Sequence, residues 1–360
     1  MKRIETIVLT GAPCAGKTSA LEIVKSEFER RGWAVITVGE TATELKQSGV
    51  APWDLVPGEF QRIRLKLQVE KEAAYFRAAK AMSAERVLIV FDRGALDTRC
   101  YTTAEQFASF AHELGESEVL LRDRYGAVFH METAAKGARE SYVTGEGTVR
   151  YDTAEECVDY DARLVSAWCG HPHLRMIGCE ENYADKASHL VREIASFLGD
   201  PVPYEIERKF LIEYPDLDFL KNYPFCKKVE IEQVYLEGRS RIRRRGADGS
   251  YIYFYTEKRK VNEVRRVEEE RRITKSEYEA LFADKEPGRG IVKKDRYCIV
   301  YDGKYFELDV YPIWRDRATL EIELSSEDEE FKIPDFIKVI REVTGEKEYK
   351  NYNISKLYED

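Results

Sequence analysis

The sequence predicts two domains of different class: an α/β domain with a parallel sheet flanked by helices, then an α+β domain built on an antiparallel barrel of eight strands. Two observations predict this. Through about the first 200 residues, apolar runs alternate with amphipathic helical stretches, the pattern of βα units. At 199–203, Gly-Asp-Pro-Val-Pro stops any helix, and beyond it the hydrophobic period becomes two. The expected division is 1–199, a linker at 200–204, and 205–360.

In the first domain Ile7-Val8-Leu9-Thr10 reads as a buried strand and 17–31 as the helix that follows it. Further strands are expected at 33–38, 86–91, 127–131 and 174–177. A helix at 185–198 closes the domain, with Ala187, Leu190, Val191, Ile194 and Leu198 on one face. In the second domain strands are expected at 204–212, 230–237, 240–245, 251–258, 264–273, 295–301, 304–311 and 318–324. Turn signals at 246–249 and 302–303 separate some of them, and short helices are expected near 275–282 and 335–343.

Composition excludes several classes. With 360 residues, of which 43% are hydrophobic, the chain can bury two cores. Its net charge of −9 argues against nucleic acid as a partner. The seven cysteines form no CxxC pair, as expected of reduced thiols. Cys169, His171, His173 and Cys179 cluster in sequence, but their spacing fits no common zinc site. No apolar run reaches bilayer length, and the first strand begins too early to leave room for a signal peptide. A cytoplasmic location is expected.

Gly11-Ala12-Pro13-Cys14-Ala15-Gly16-Lys17-Thr18 fits GxxxxGK[ST], the P-loop pattern, between a strand and a helix. The loop, Pro13, Cys14 and Ala15 included, would turn backbone N–H groups on the phosphates of ATP or GTP. Lys17 would reach the β- and γ-phosphates, and the Thr18 hydroxyl would ligate Mg²⁺. Asp92 ends an apolar strand, where it would join the metal shell or simply cap the next helix. Arg93 directly follows, an arrangement similar to that of nucleoside and nucleotide kinases, in which it would touch phosphate or substrate. Glu40 ends the second strand, as a carboxylate for an acceptor hydroxyl or as an ordinary solvated residue. Segment 133–163, with Arg139 and Arg150, is placed for an arginine-bearing lid or for a plain loop.

In the second domain charges fall on every second residue and so share a strand face: Glu205, Glu207 and Lys209, although Arg208 breaks the alternation. The pattern returns in Arg241, Arg243 and Arg245, in Thr256 and Lys258, and in Arg266, Glu268 and Glu270. It returns again in Lys294 and Arg296, in Glu307 and Asp309, and in Glu321 and Glu323. A solvated face is the ordinary meaning of alternating charge. Recurrence on at least six strands favours a charged tunnel, with carboxylates for a divalent metal and cations for polyphosphate.

These pairs, in this order, resemble the CYTH superfamily of triphosphate tunnel metalloenzymes over about 203–358. The resemblance implies Mg²⁺- or Mn²⁺-dependent cleavage of a nucleoside triphosphate or tripolyphosphate. Glu205, Glu207, Glu321 and Glu323 would hold metal, with Glu268 and Glu270 as further candidates. Lys209, Arg241, Arg243, Lys258, Arg266 and Arg296 would grip phosphate. The N-terminal half resembles P-loop domains of the NadR/Ttd14 type, through the GxPCxGKT loop, residues 39–43, Asp92-Arg93-Gly94, residues 125–130, and Trp168 with His171-Pro172. The fusion is similar to Ttd14-like proteins. That resemblance implies a second reading: a GTP- and phosphoinositide-binding regulator of membrane-protein trafficking, with peripheral membrane contact and little catalysis. A small-molecule kinase is the third.

Overall fold

The computed structural model describes residues 2–137, 153–180, 182–200, 206–260, 266–324, 326 and 328–358, with side chains except at 239 and 258–269. The chain divides into two compact units, Met1–Tyr204 and Glu205–Asp360.

In the first unit β1 (Arg3–Thr10) leads through the P-loop into α1 (Lys17–Arg30), then β2 (Ala34–Val38), α2 (Thr41–Gln47) and α3 (Glu59–Ala81). There follow β3 (Arg86–Asp92), α4 (Ala104–Glu113), α5 (Glu118–Arg122), β4 (Ala127–Met131), α6 (Ala134–Gly137), α7 (Ala154–Trp168), β5 (Leu174–Ile177) and α8 (Tyr183–Leu198). The five strands pair in parallel in the order β2-β3-β1-β4-β5. β3 and β4 are buried along nearly their whole length, which is why they read as continuous apolar runs. Because β1 is central, the chain fills one side of it through β2 and β3 and then crosses to β4. That crossing makes the carboxyl end of β1 a switch point, where ligand crevices open in such sheets.

The second unit contains β6 (Ile206–Glu213), α9 (Leu217–Asn222), β7 (Cys226–Tyr235), β8 (Arg241–Ala247), β9 (Ser250–Lys260) and β10 (Arg266–Ile273). It continues with α10 (Lys275–Leu281), β11 (Val292–Tyr301), β12 (Lys304–Val310), β13 (Arg317–Leu324), β14 (Val339–Glu342) and α11 (Asn351–Ile354). Among the described residues nine strands form one antiparallel sheet, ordered β10-β9-β8-β7-β11-β12-β13-β6-β14.

The ninth strand corrects the helix expected near 335–343. Phe336, Ile337, Ile340 and Val343 mimic a helical apolar spacing. Instead Val339, Arg341 and Glu342 pair with Ile212, Leu211 and Phe210, with an irregularity at 340. The exposed flank of β6 supplies a backbone partner for a β-branched stretch, and that pairing outweighs the local period.

Period two sorts this sheet into faces. Phe210, Ile212, Tyr297, Ile299, Phe306, Leu308, Val310, Leu320 and Ile322 pack together on one side. The residues between them, Lys209, Arg296, Glu307, Asp309 and Glu321, therefore share the other.

Candidate functional site

Backbone geometry makes the P-loop a specific shape. Gly11 has φ 142° and Gly16 has φ 85°, while Cys14 takes a left-handed φ of 58° at a non-glycine residue. A Cβ on Gly11 would lie 2.1 Å from the Met131 carbonyl oxygen, and one on Gly16 would lie 2.5 Å from the Tyr183 ring. Gly11→Ala is thus expected to displace the loop or β4, lowering the thermal midpoint and nucleotide affinity together, as read by melting with and without nucleotide.

The loop is held from outside. Thr133 Oγ1 donates to the Pro13 carbonyl at 2.7 Å, and Ala134 N donates to that of Cys14 at 3.3 Å. Asp161, buried on α7, accepts from Ala12 N at 3.4 Å, lies 3.1 Å from His130 Nε2, and pairs with Lys136 Nζ at 2.8 Å. Burial would raise the Asp161 carboxyl, but His130 and Lys136 bring it well below the usual range.

Lys17 is buried, with Nζ donating to the carbonyls of Gly11 at 2.7 Å and Ala12 at 3.0 Å. Burial first, then the neighbouring Arg93, push its ammonium down to about 8. Thr18 is exposed at the start of α1. Asp92 pairs in register with Leu9, which sets it at the strand end beside the loop. Its Oδ1 is buried without a hydrogen-bond partner, and burial raises its carboxyl. A buried oxygen with no donor, beside a phosphate-binding loop, has the chemistry of a ligand for a hard cation or its water shell.

Arg93 N donates to the Leu9 carbonyl at 3.0 Å, in a left-handed turn with φ 70°. Its guanidinium pairs with Glu40 at 2.5 Å and Asp97 at 3.0 Å. Burial would raise the Glu40 carboxyl, but Arg93, Lys17 and Arg64 outweigh it and bring it down to about 2. So weak a base is poorly suited to take a proton from an acceptor, and its geometry is that of a holder for Arg93.

Sequence reasoning missed Asp97, which is fully buried and takes Thr10 Oγ1 at 2.8 Å, Arg93 Nη1 at 3.0 Å, Gly94 N at 3.0 Å and Trp168 Nε1 at 3.1 Å. Its spacing of four from Arg93 was the available signal. Arg139 and Arg150 lie outside the described residues.

In the second unit the register decides which charges meet. Arg296 pairs with Asp309 across β11 and β12, Glu307 with Glu321 across β12 and β13, and Glu321 with Lys209 across β13 and β6. Glu323 stands directly opposite Glu207. Two carboxylate pairs thus face each other on adjacent strands, an arrangement that repels unless a cation lies between.

The cations are partly committed already. Arg296 reaches Asp309 Oδ1 and Oδ2 at 2.7 Å and Glu321 at 3.0 Å, and also pairs with Glu307. Lys294 pairs with Asp309, and Lys209 with Glu321. Asp309 was expected as part of an acidic pair facing ligand, yet it is the fully buried counter-ion of Lys294 and Arg296. Asp309→Ala leaves both cations without it, and is expected to destabilise the fold by about 3–5 kcal/mol in denaturant titration.

Toward the β10 edge of the sheet, on the same charged face, Arg243 donates to Glu270 at 3.0 Å, and Thr256 donates to the same carboxylate at 3.0 Å. Glu270 is therefore engaged among the basic strands rather than beside Glu207. Arg241 and Arg245 flank Arg243 on β8. Glu268 stands opposite Lys258, and Arg266 opposite Lys260, in the β9–β10 register. Glu205 lies outside the described residues.

Glu207 stands at the rim, exposed to solvent on one side yet backed by protein. Desolvation on the protein side, then repulsion from Glu321, push its carboxyl up to about 7. Burial likewise raises Glu307 despite Arg296. Among the described residues no three His, Cys, Asp or Glu side chains already form a metal cage. The donor set nonetheless fits a divalent cation: hard oxygens, paired by register, in excess negative potential.

Fold and sites define a P-loop nucleotide-binding domain joined to an antiparallel sheet with one charged face. Comparison with protein families matches residues 6–186 to the AAA domain family, and the chain belongs to that family. No curated protein matches. Among solved structures, the inorganic triphosphatase NE1496 is 31% identical over 42% of this chain and 97% of its own, with a TM-score of 0.30. The PH1012 protein from Pyrococcus horikoshii is 19% identical over 34% of this chain and 80% of its own, with a TM-score of 0.25. No helix among the described residues is long and apolar enough to cross a membrane.

Proposed function

We propose that this protein binds ATP or GTP at its P-loop and hydrolyses a triphosphate, nucleoside triphosphate or tripolyphosphate, on the charged face of its second unit. The observation that carries the reading is the register: it sets Glu207 against Glu323 and Glu307 against Glu321, with Lys209 and Arg296 paired to Glu321 beside them. A solvated face has no use for opposed carboxylates, whereas a site for metal and polyphosphate needs both signs at close range.

Glu205, Glu207, Glu321 and Glu323 would hold Mg²⁺ or Mn²⁺, which when bound supplies Lewis-acid polarisation of a phosphoryl oxygen. Arg241, Arg243, Lys258, Arg266, Arg296 and Lys209 would bind the phosphate oxygens and hold the chain extended. Water attacks the terminal phosphorus and releases a proton to solvent, the bridging P–O bond breaks, and the bridging oxygen leaves with its charge balanced by these cations. The products are orthophosphate and a diphosphate.

The test is phosphate release from tripolyphosphate, ATP and GTP, with Mg²⁺, Mn²⁺ or a chelator. Metal-dependent release supports the reading. Absence of release, together with tight GTP binding and flotation with phosphoinositide vesicles, would overturn it in favour of the Ttd14-like regulator. A small-molecule kinase in the first unit is a second reading, favoured by the guanidinium of Arg93, which Glu40 and Asp97 hold beside Lys17. Transfer of labelled γ-phosphate to a small molecule would show it.

A further inference from the structure

Near Glu40 and Arg93 lies a cation that the nucleotide reading does not use. Arg64, from the second turn of α3, is 5% exposed, and its guanidinium lies 5.4 Å from the centre of the Tyr101 ring. Among the described residues its hydrogen bond is Nη1 to Gln61 Oε1 at 3.3 Å, and it makes no ion pair. The obvious counter-ion is committed elsewhere: Glu40 pairs with Arg93, and Arg93 also holds Asp97. Arg64 and Arg93 both act electrostatically on Glu40 and on Tyr101, so the four groups converge on one place. Tyr101 itself is 41% exposed, so this place opens to solvent.

Arg64 buries its stem, yet none of its unbonded guanidinium nitrogens is cut off from solvent, so most of the fork's donors are open to a ligand. The natural complement of its planar fork is a carboxylate or phosphate bound through two parallel hydrogen bonds. Asp92 ends β3 next to the P-loop and Arg93 follows it, so a ligand near Arg64 and Arg93 would lie close to the phosphate tail of a bound nucleotide. We propose that Arg64 and Tyr101 form a subsite for a small molecule carrying a carboxylate or phosphate, bound beside the nucleotide. This rests on the P-loop reading and is independent of triphosphate hydrolysis.

The test uses the full chain. ADP affinity with Mg²⁺ is measured first in wild type, in Arg64→Met, which keeps an unbranched stem beside Tyr101, and in Arg64→Lys. Equal ADP affinity in all three shows that the fold and the P-loop are intact. Absent ADP binding in wild type would count against the nucleotide reading, not against the subsite. Each protein, with and without ADP, is then titrated calorimetrically with glycerol 3-phosphate and, separately, with succinate. The phosphate and carboxylate arms distinguish the two sources of the anion.

Binding to the charged face of the second unit is common to all three proteins and cancels in the comparison. The expected result is saturable binding of one anion class, at least tenfold weaker in Arg64→Met and intermediate in Arg64→Lys. Unchanged binding in Arg64→Met, or no saturable binding of either anion in wild type, would overturn the proposal.

Discussion

Glu207→Gln is expected to lower tripolyphosphate turnover by on the order of a hundredfold or more, and at the same time to raise the thermal midpoint at pH 8 in chelator. The two effects have opposite signs because one feature causes both. Glu207 faces Glu323 in register, and its carboxyl is pushed up to about 7 by desolvation and by Glu321. The folded state therefore holds this proton more tightly than the unfolded chain does, and between about pH 4.5 and 7 the unfolded state binds fewer protons.

Stability attributable to this group thus falls as pH rises through that window, and the cost is fully present above it. Gln carries no charge, so the gain from the substitution should shrink toward zero as pH falls to about 4.5. Solvent at the rim screens the repulsion, so a shift of a few degrees is the scale to expect. In the wild type Mg²⁺ should abolish most of the difference by neutralising the pair. A Glu207→Gln protein that melts below wild type at pH 8 would show that the opposed carboxylates do not repel.

Lys17→Ala is expected to weaken ATP and GTP binding roughly ten- to a hundredfold, the loss of one charge-assisted contact, while leaving tripolyphosphate release unchanged. Lys17 lies among Arg93, Asp92, Glu40 and Asp97 in the first unit, and the opposed carboxylates belong to the second. Equilibrium binding of a fluorescent nucleotide and a phosphate-release assay on the same sample read the two sites separately. A variant that loses both activities in proportion would mean that the P-loop itself performs the hydrolysis.

How far the sequence carried varies with the physics involved. The phosphate loop was legible because its constraints are local: glycines where φ is positive and a Lys-Thr pair at the helix start. The charged face was legible because strand period alone sorts side chains, and that needs no knowledge of partners. The pairing of Asp309 with Lys294 and Arg296 was not legible, since it depends on register across β11 and β12. Nor was the role of Asp97, whose Thr10 and Trp168 partners lie far away along the chain. Arg64 sits in a helix where a charged residue ordinarily faces water, and only its burial against Tyr101 sets it apart.

The lowered basicity of Lys17 has a consequence for how nucleotide binding would be seen in a calorimeter. With its ammonium at about 8, an appreciable fraction of the side chain is neutral in mildly alkaline solution. An arriving polyphosphate favours the charged form, so binding near pH 8 should draw a fraction of a proton from the medium. The observed heat would then change with the ionisation enthalpy of the buffer, and Tris and phosphate should give different apparent enthalpies. At pH 6 the ammonium is already charged, and its share of that buffer dependence should vanish.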